Sequence, residues 1–384
     1  MLRQTRVPGY PIVNTSIDFS PERWRRIRET YGKWWRHELE RPLIPIVLKG
    51  RDPGRPQPAA PLLSQQNCTD LSWSAEELID RIDYELSCLS YLGDAYPYFN
   101  MHCFGPGVAA AFLGARLDNT SGRVRFFPPD DRPIQDIHLV YDPDNLWLQR
   151  IKAIYRAGME RWQGQVLMGM TDLGGTLDVL QTFRPGERLL FDLRDAPAEV
   201  ERLTWEIHEL WHRFFVELNA VLQPVNPGYS DWSTLYSDVP SYILQSDITY
   251  MIGPKMFRLF AVPELAASCK RIARPFYHLD GIGQIRHLST ILQIPELAGV
   301  QWIHGDGKPD SGNWPEVFQA IQAGHKLIQV TSGGFPALDA IRSQIGTLKG
   351  VHYSGFLWDD ALINQNATDH EPELRLGLAR YGID

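Results

Sequence analysis

From residue 275 onward the sequence alternates with a regular beat. Short apolar runs at 275–279, 299–303, 326–330 and 350–356 are separated by amphipathic stretches near 284–293, after Asn313-x-x-Glu316, and near 336–345. Each run is too short for a helix, and each intervening stretch repeats its apolar residues at helical spacing. Strands alternating with helices form βαβ units, and βαβ units form a parallel sheet. A looser version of the rhythm includes earlier apolar runs at 43–48, 95–101, 165–170 and around 225–230. About eight such units predict a (β/α)8 TIM barrel, one domain over residues 1–384, with a doubly wound open sheet as the alternative. No G-x-G-x-x-G follows the first strand, which argues against a dinucleotide fold.

Local signals fill in the rest. Residues 1–40 form an N-terminal helical extension, with a helix from about Pro21 that caps one end of the body. The proline-rich stretch 50–72 reads as a long loop of a length usually kept for function. Ser74-x-x-Glu77 is a capping box. Val124–Phe127, bounded by Gly122 and Pro128-Pro129, is a strand in a β excursion after the second strand. Asp142-Pro143, Asp195-Ala196-Pro197 and Gly253-Pro254 each start a helix.

Composition removes several function classes. The net charge is −8 and the pI about 5.8, so no basic face is expected for nucleic acid. No uncharged apolar run is long enough to span a bilayer, and Met1–Pro8 lacks the apolar core of a secretory signal. The four cysteines form no CxxC pair, which fits a reduced, cytoplasmic setting. The 12 Trp and 15 Tyr fill a core or line a pocket for a planar or cyclic ligand.

In a barrel, chemistry gathers at the C-terminal ends of the strands. Those ends supply Asn100 and His102, Thr171 and Asp172, Tyr229 and Asp231, His278 and Asp280, His304 and Asp306, and Thr331-Ser332-Gly333-Gly334; Asp247 lies in the aromatic stretch 225–252. His-x-Asp-Gly occurs twice, at 278–281 and 304–307. Residues i and i+2 of a strand point to the same side, so each His can share a cavity with its Asp. Imidazole and carboxylate together suit zinc, iron or manganese, with His278 and Asp280 as ligands and His304 and Asp306 as possible additions. The structural alternative is that each Asp caps a helix and each His packs on an aromatic wall. Paired carboxylates such as Asp172 with Asp280 or Asp306 would suit a glycosidase, but such enzymes favour Glu. Gly305-Asp306-Gly307-Lys308-Pro309 lacks the spacing of a phosphate loop, and neither G-x-S-x-G nor H-E-x-x-H is present.

Several stretches, in order, resemble the uroporphyrinogen decarboxylase superfamily. They are Gly105-Pro106-Gly107-Val108 through Phe112-Leu113-Gly114, Met170-Thr171-Asp172-Leu173-Gly174-Gly175, Leu190-Phe191-Asp192-Leu193, Gly253-Pro254-Lys255-Met256-Phe257 and His278-Leu279-Asp280-Gly281. The resemblance runs from about 42 to 358 and independently implies a (β/α)8 barrel; it also implies a homodimer. The superfamily's true decarboxylases carry an arginine-rich N-terminal motif, of which Arg3-Gln4-Thr5-Arg6 is only a fragment, and an Asp where this chain has Phe99-Asn100-Met101-His102-Cys103. Its zinc methyltransferases carry His-x-Cys on the fifth strand and a later Cys. Here His278 matches, Asp280 replaces the first Cys, and His352–Trp358 contains none. Any ion would therefore be bound by nitrogen and oxygen.

These readings converge on an enzyme that transfers a methyl group from a small oxygenated substrate to a corrinoid partner protein. His278 and Asp280 would be metal ligands or an acid–base pair, Asp172 and Asp306 would orient substrate, and Tyr229 and Trp302 would wall the pocket. The alternatives are a cofactor-free decarboxylase using Asp172 or Asp280 as proton donor or cation stabiliser, and a non-catalytic tetrapyrrole-binding barrel.

Overall fold

A computed structural model describes residues 16–384; the Arg3–Arg6 fragment and the Met1–Pro8 segment lie outside the described residues. The strands in chain order are β1 (Pro45–Lys49), β2 (Leu89–Gly93), β3 (Tyr98–Phe99), β4 (Arg116–Asp118), β5 (Arg125–Phe127), β6 (Leu167–Met168), β7 (Ser241–Leu244), β8 (Arg274–Asp280), β9 (Gly299–Ile303), β10 (Leu327–Val330) and β11 (Val351–Tyr353). The architecture is α/β, centred on a five-stranded sheet of order β11-β10-β9-β8-β7 in which every pair is parallel. The helices Ile285–Ile291, Pro315–Ala323 and Gly334–Ile345 connect β8 to β11, as the spacing of the last third predicts.

The first half departs from the simplest expectation. β1 pairs with β2 antiparallel, and only Leu43, just before it, pairs parallel with β11, at His352. β3 and β6 form a separate parallel pair. The run around 225–230 is not a strand: Tyr229 makes one antiparallel bridge to Ser237. Pro224, Pro227 and Gly228 interrupt it, and proline cannot donate to a ladder. The strand forms instead at β7, whose Ser-Tyr-Ile-Leu is wholly buried. Between β6 and β7 the junction is made by Met170 N–H to the Ser230 carbonyl, 2.8 Å, and by Asp231 Oδ2 accepting from Ile243 N–H, 2.6 Å. The carboxylate of Asp231 takes the place of a neighbouring strand there.

The β excursion is a short hairpin of β4 and β5. The Ser74 capping box closes with both of its bonds, but Asn145, not Asp142, caps the Leu146–Trp162 helix. Asn313 does not cap the Pro315–Ala323 helix; its side chain bonds Asp310.

The helix Pro21–Trp35 packs under the sheet. Its Trp34 is fully buried against Phe276 of β8, ring centroids 6.2 Å apart, and Trp35 donates to the Tyr236 carbonyl at 2.8 Å. Phe276, His278 and Asp280 alternate onto one side of β8. The aromatic plug therefore fills the N-terminal end, and the polar residues occupy the C-terminal end. No helix among the described residues is long and apolar enough to cross a membrane.

Candidate functional site

The C-terminal end of β8 is the point of convergence. β8 stays in register with β9 through Asp280, opposite Ile303, and the Gly281 N–H still bonds the Ile303 carbonyl at 2.8 Å. His278 and Asp280 therefore share a side, with Nε2 and Oδ2 3.9 Å apart. Gly281 then turns the chain at φ 77°, and a Cβ there would lie 3.2 Å from the Tyr250 ring. Both facts favour glycine.

Asp247 completes the group. It follows β7 and opens a short 3-10 turn, Asp247–Met251. That turn is pinned by Asp178, whose two carboxylate oxygens accept from the Asp247 and Ile248 N–H groups at 2.9 and 2.8 Å. One ligand-capable atom each from Asp247, His278 and Asp280 lies within 4.8 Å of the others. Ligands about 2.0–2.2 Å from one ion lie at most about 4.4 Å apart, so a small closure would let all three hold a divalent cation. The donor set is one nitrogen and two carboxylates, suited to an oxygen-preferring ion rather than a thiolate-bound one.

Electrostatics favour the same use. His278 is 9% exposed. Burial lowers its pKa, with Asp280 opposing, which favours the neutral imidazole that has a lone pair to give. Its Nδ1 sits 2.5 Å from Gln301 Oε1, and the Trp232 ring packs edge-on at 4.8 Å. Burial, reinforced by Asp280, raises Asp247 to about 7, although the residue keeps an open side to solvent. Burial and then Asp247 raise Asp178 to about 7. Burial also raises Asp172 to about 7, against the pull of the Gly174 N–H that its Oδ1 accepts at 2.9 Å. No Lys or Arg pairs with these carboxyls among the described residues. Like charges that cannot all ionise are what a cation would relieve.

The other expected residues fall elsewhere. His304 lies one residue beyond β9 in a loop. Its Nδ1 donates to the Gly305 carbonyl at 2.8 Å and its Nε2 accepts from Ser332 Oγ at 2.9 Å, which leaves no lone pair for a metal. Asp306 is exposed. Trp302 is fully buried with its ring 5.1 Å from Trp314; it alternates to the opposite side of β9 from Gln301 and does not wall the site. Tyr229 bridges Ser237, whose Oγ accepts from Arg274 at the start of β8. Arg274 opens β8 and Asp280 closes it, so the Tyr229 bridge lies toward the end of the sheet opposite Asp280. Asp231 is committed to Ser233 and Ile243 N–H groups. Asn100 accepts from His102 N–H at 3.2 Å and donates to the Trp232 carbonyl at 3.3 Å, and exposed His102 lies edge-on to Trp358. Beside Asn100 an apolar cavity of about 180 Å³ is lined by Tyr91, Tyr96, Tyr98, Leu357 and Trp358.

Sequence reasoning missed Asp178, Trp232 and Gln301. Asp178 escapes a reading of strand ends because it sits inside the Thr176–Phe183 helix. Gln301 had a signal: it is a polar residue inside the apolar run Val300-Gln301-Trp302.

No family model matches the chain, and no curated protein matches it. Among solved structures it is similar to a methyltransferase from Methanosarcina mazei, with 11% identity over 78% of this chain and 89% of that one and a TM-score of 0.50. At that identity the likeness concerns the fold alone: this chain shares the α/β fold of that structure.

Proposed function

We propose that the chain is an enzyme that moves a methyl group from a small oxygenated substrate to a corrinoid carried by a partner protein, on a (β/α)8-type scaffold. The observation that carries the reading is the convergence of Asp247, His278 and Asp280 at the C-terminal edge of the sheet. The likeness in fold to a methyltransferase supports it. These three residues would hold a divalent ion, which would supply Lewis-acid polarisation of the substrate oxygen. Asp178 fixes the turn that carries Asp247. Asp172, raised to about 7, holds a proton that can pass to the departing oxygen near neutral pH. The apolar cavity beside Asn100 would receive the substrate's carbon skeleton.

The test is metal analysis of the purified protein beside His278→Ala, followed by spectral assay of cob(I)alamin methylation with methanol and simple methyl ethers. One tightly held ion lost in the variant, with methyl transfer that depends on it, supports the proposal. A wild type that takes up no ion, or a variant that keeps it fully, overturns it. A cofactor-free decarboxylase then becomes the better reading, favoured by Asp172, whose carboxyl burial raises to about 7.

A further inference from the structure

One row of positions across the sheet is polar where its neighbours are apolar. His278 pairs in register with Gln301, Gln301 with Gln329, and Gln329 with His352. All four are buried. A row of polar side chains in a core is costly unless each is hydrogen-bonded. These form one chain: His278 Nδ1 to Gln301 Oε1 at 2.5 Å, Gln301 Nε2 to Gln329 Oε1 at 2.8 Å, and Gln329 Nε2 to His352 Nδ1 at 3.1 Å.

A single backbone group sets the direction of the chain. The Gln329 terminal atom nearest the Ser233 carbonyl is 2.8 Å away. A carbonyl only accepts, so that atom is the amide nitrogen, and Gln329 Oε1 must face Gln301. Gln301 therefore turns its nitrogen toward Gln329 and its oxygen toward His278. An oxygen 2.5 Å from His278 Nδ1 requires a proton on that nitrogen. At the other end, His352 Nδ1 accepts and its Nε2 faces the Tyr31 hydroxyl at 3.4 Å. The opposite polarity would press two acceptors together at Ser233.

We infer that Gln301 and Gln329 are positioning residues that fix His278 as the Nδ1–H tautomer, with the Nε2 lone pair aimed at Asp247 and Asp280. The opposite tautomer would point a proton at the carboxylates and offer nothing to a cation. Only the use made of the lone pair rests on the proposed function; the tautomer itself rests on the hydrogen bonds.

The test is ¹⁵N spectroscopy of histidine-labelled, chelator-treated protein, with His278 assigned by its loss in His278→Gln. The expected result is a protonated Nδ1 and a bare Nε2 in the wild type. Gln301→Glu, as the neutral acid, keeps an acceptor toward His278 and a donor toward Gln329 Oε1, and should preserve the tautomer. Gln301→Leu removes the acceptor and should mix the two forms and weaken Mn²⁺ binding by about 10–100-fold. A wild-type ring protonated on Nε2, or a folded Gln301→Leu with unchanged ring signals, overturns the inference. If the tautomer is found as stated but wild-type protein binds no Mn²⁺, the relay stands and the metal reading alone fails.

Discussion

His-x-Asp-Gly occurs at 278–281 and at 304–307, and the two copies fold differently. At the first, β8 runs through Asp280, so His and Asp share one side and meet Asp247. At the second, β9 stops at Ile303, so His304 falls in a loop and Asp306 faces solvent. The first histidine spends one nitrogen on Gln301 and leaves the other toward carboxylates. The second has both nitrogens bonded, to Gly305 and Ser332. The i, i+2 rule is a rule about strands, and it holds only as far as the ladder does. A motif at a strand end needs the neighbouring strand's length before its geometry can be read.

The largest contrast should come from the two histidines. His278→Ala should weaken Mn²⁺ or Zn²⁺ binding by at least about 100-fold, while His304→Ala should leave it within about twofold, by isothermal titration calorimetry. Equal losses would erase the distinction. The acids should follow: Asp247→Asn and Asp280→Asn should each cost about 10–100-fold, and Asp306→Asn should cost nothing measurable.

Proton linkage sharpens the contrast further. Burial and like charge lift Asp178 and Asp247 from 3.8 to about 7 in the folded chain. A carboxyl raised on folding contributes stability that is fully present below its unfolded pKa and is lost as pH rises through the folded value. The ion-free protein should therefore melt at a lower temperature at pH 8 than at pH 5.5, by differential scanning calorimetry. Ion affinity should rise over the same range, by up to about tenfold per pH unit below 7 for each proton displaced. An affinity independent of pH would contradict the assignment of these carboxyls.

The smallest effects concern the scaffolds of the two ends. Gly281→Ala and Gly305→Ala both place a side chain at positive φ, 77° and 88°, at about 1–3 kcal/mol each. Gly281→Ala should cost more in a urea melt, because its Cβ meets Tyr250 at 3.2 Å while that of Gly305 meets nothing within 3.4 Å. Ser332→Ala should cost about 1 kcal/mol by the same method through the lost His304 bond, and leave ion binding unchanged.

The last third of the fold was legible because its strands and helices alternate with clean periods; β8, β9, β10 and β11 fall where the apolar runs predict. The aromatic run 225–252 was not, since its prolines hid β7 and since Asp231 replaces a ladder that no sequence period encodes. At the site, His278 and Asp280 were readable from spacing alone. Asp247 was visible only as an acid in an irregular stretch, and its place is set by a carboxylate from the Thr176–Phe183 helix. Trp302 and Tyr229 were misplaced for related reasons: an apolar strand residue has two sides, and a residue near a proline-broken run can lie at either end of the sheet.

The central claim is that the 278 end, and not its twin, is a cation site. A crystal soaked in Mn²⁺ at pH 8 and measured for anomalous scattering tests it most directly. The account predicts a single strong peak in contact with His278 Nε2 and the carboxylates of Asp247 and Asp280. A peak at His304 and Asp306, or a fully soaked crystal with no peak at His278, would contradict it.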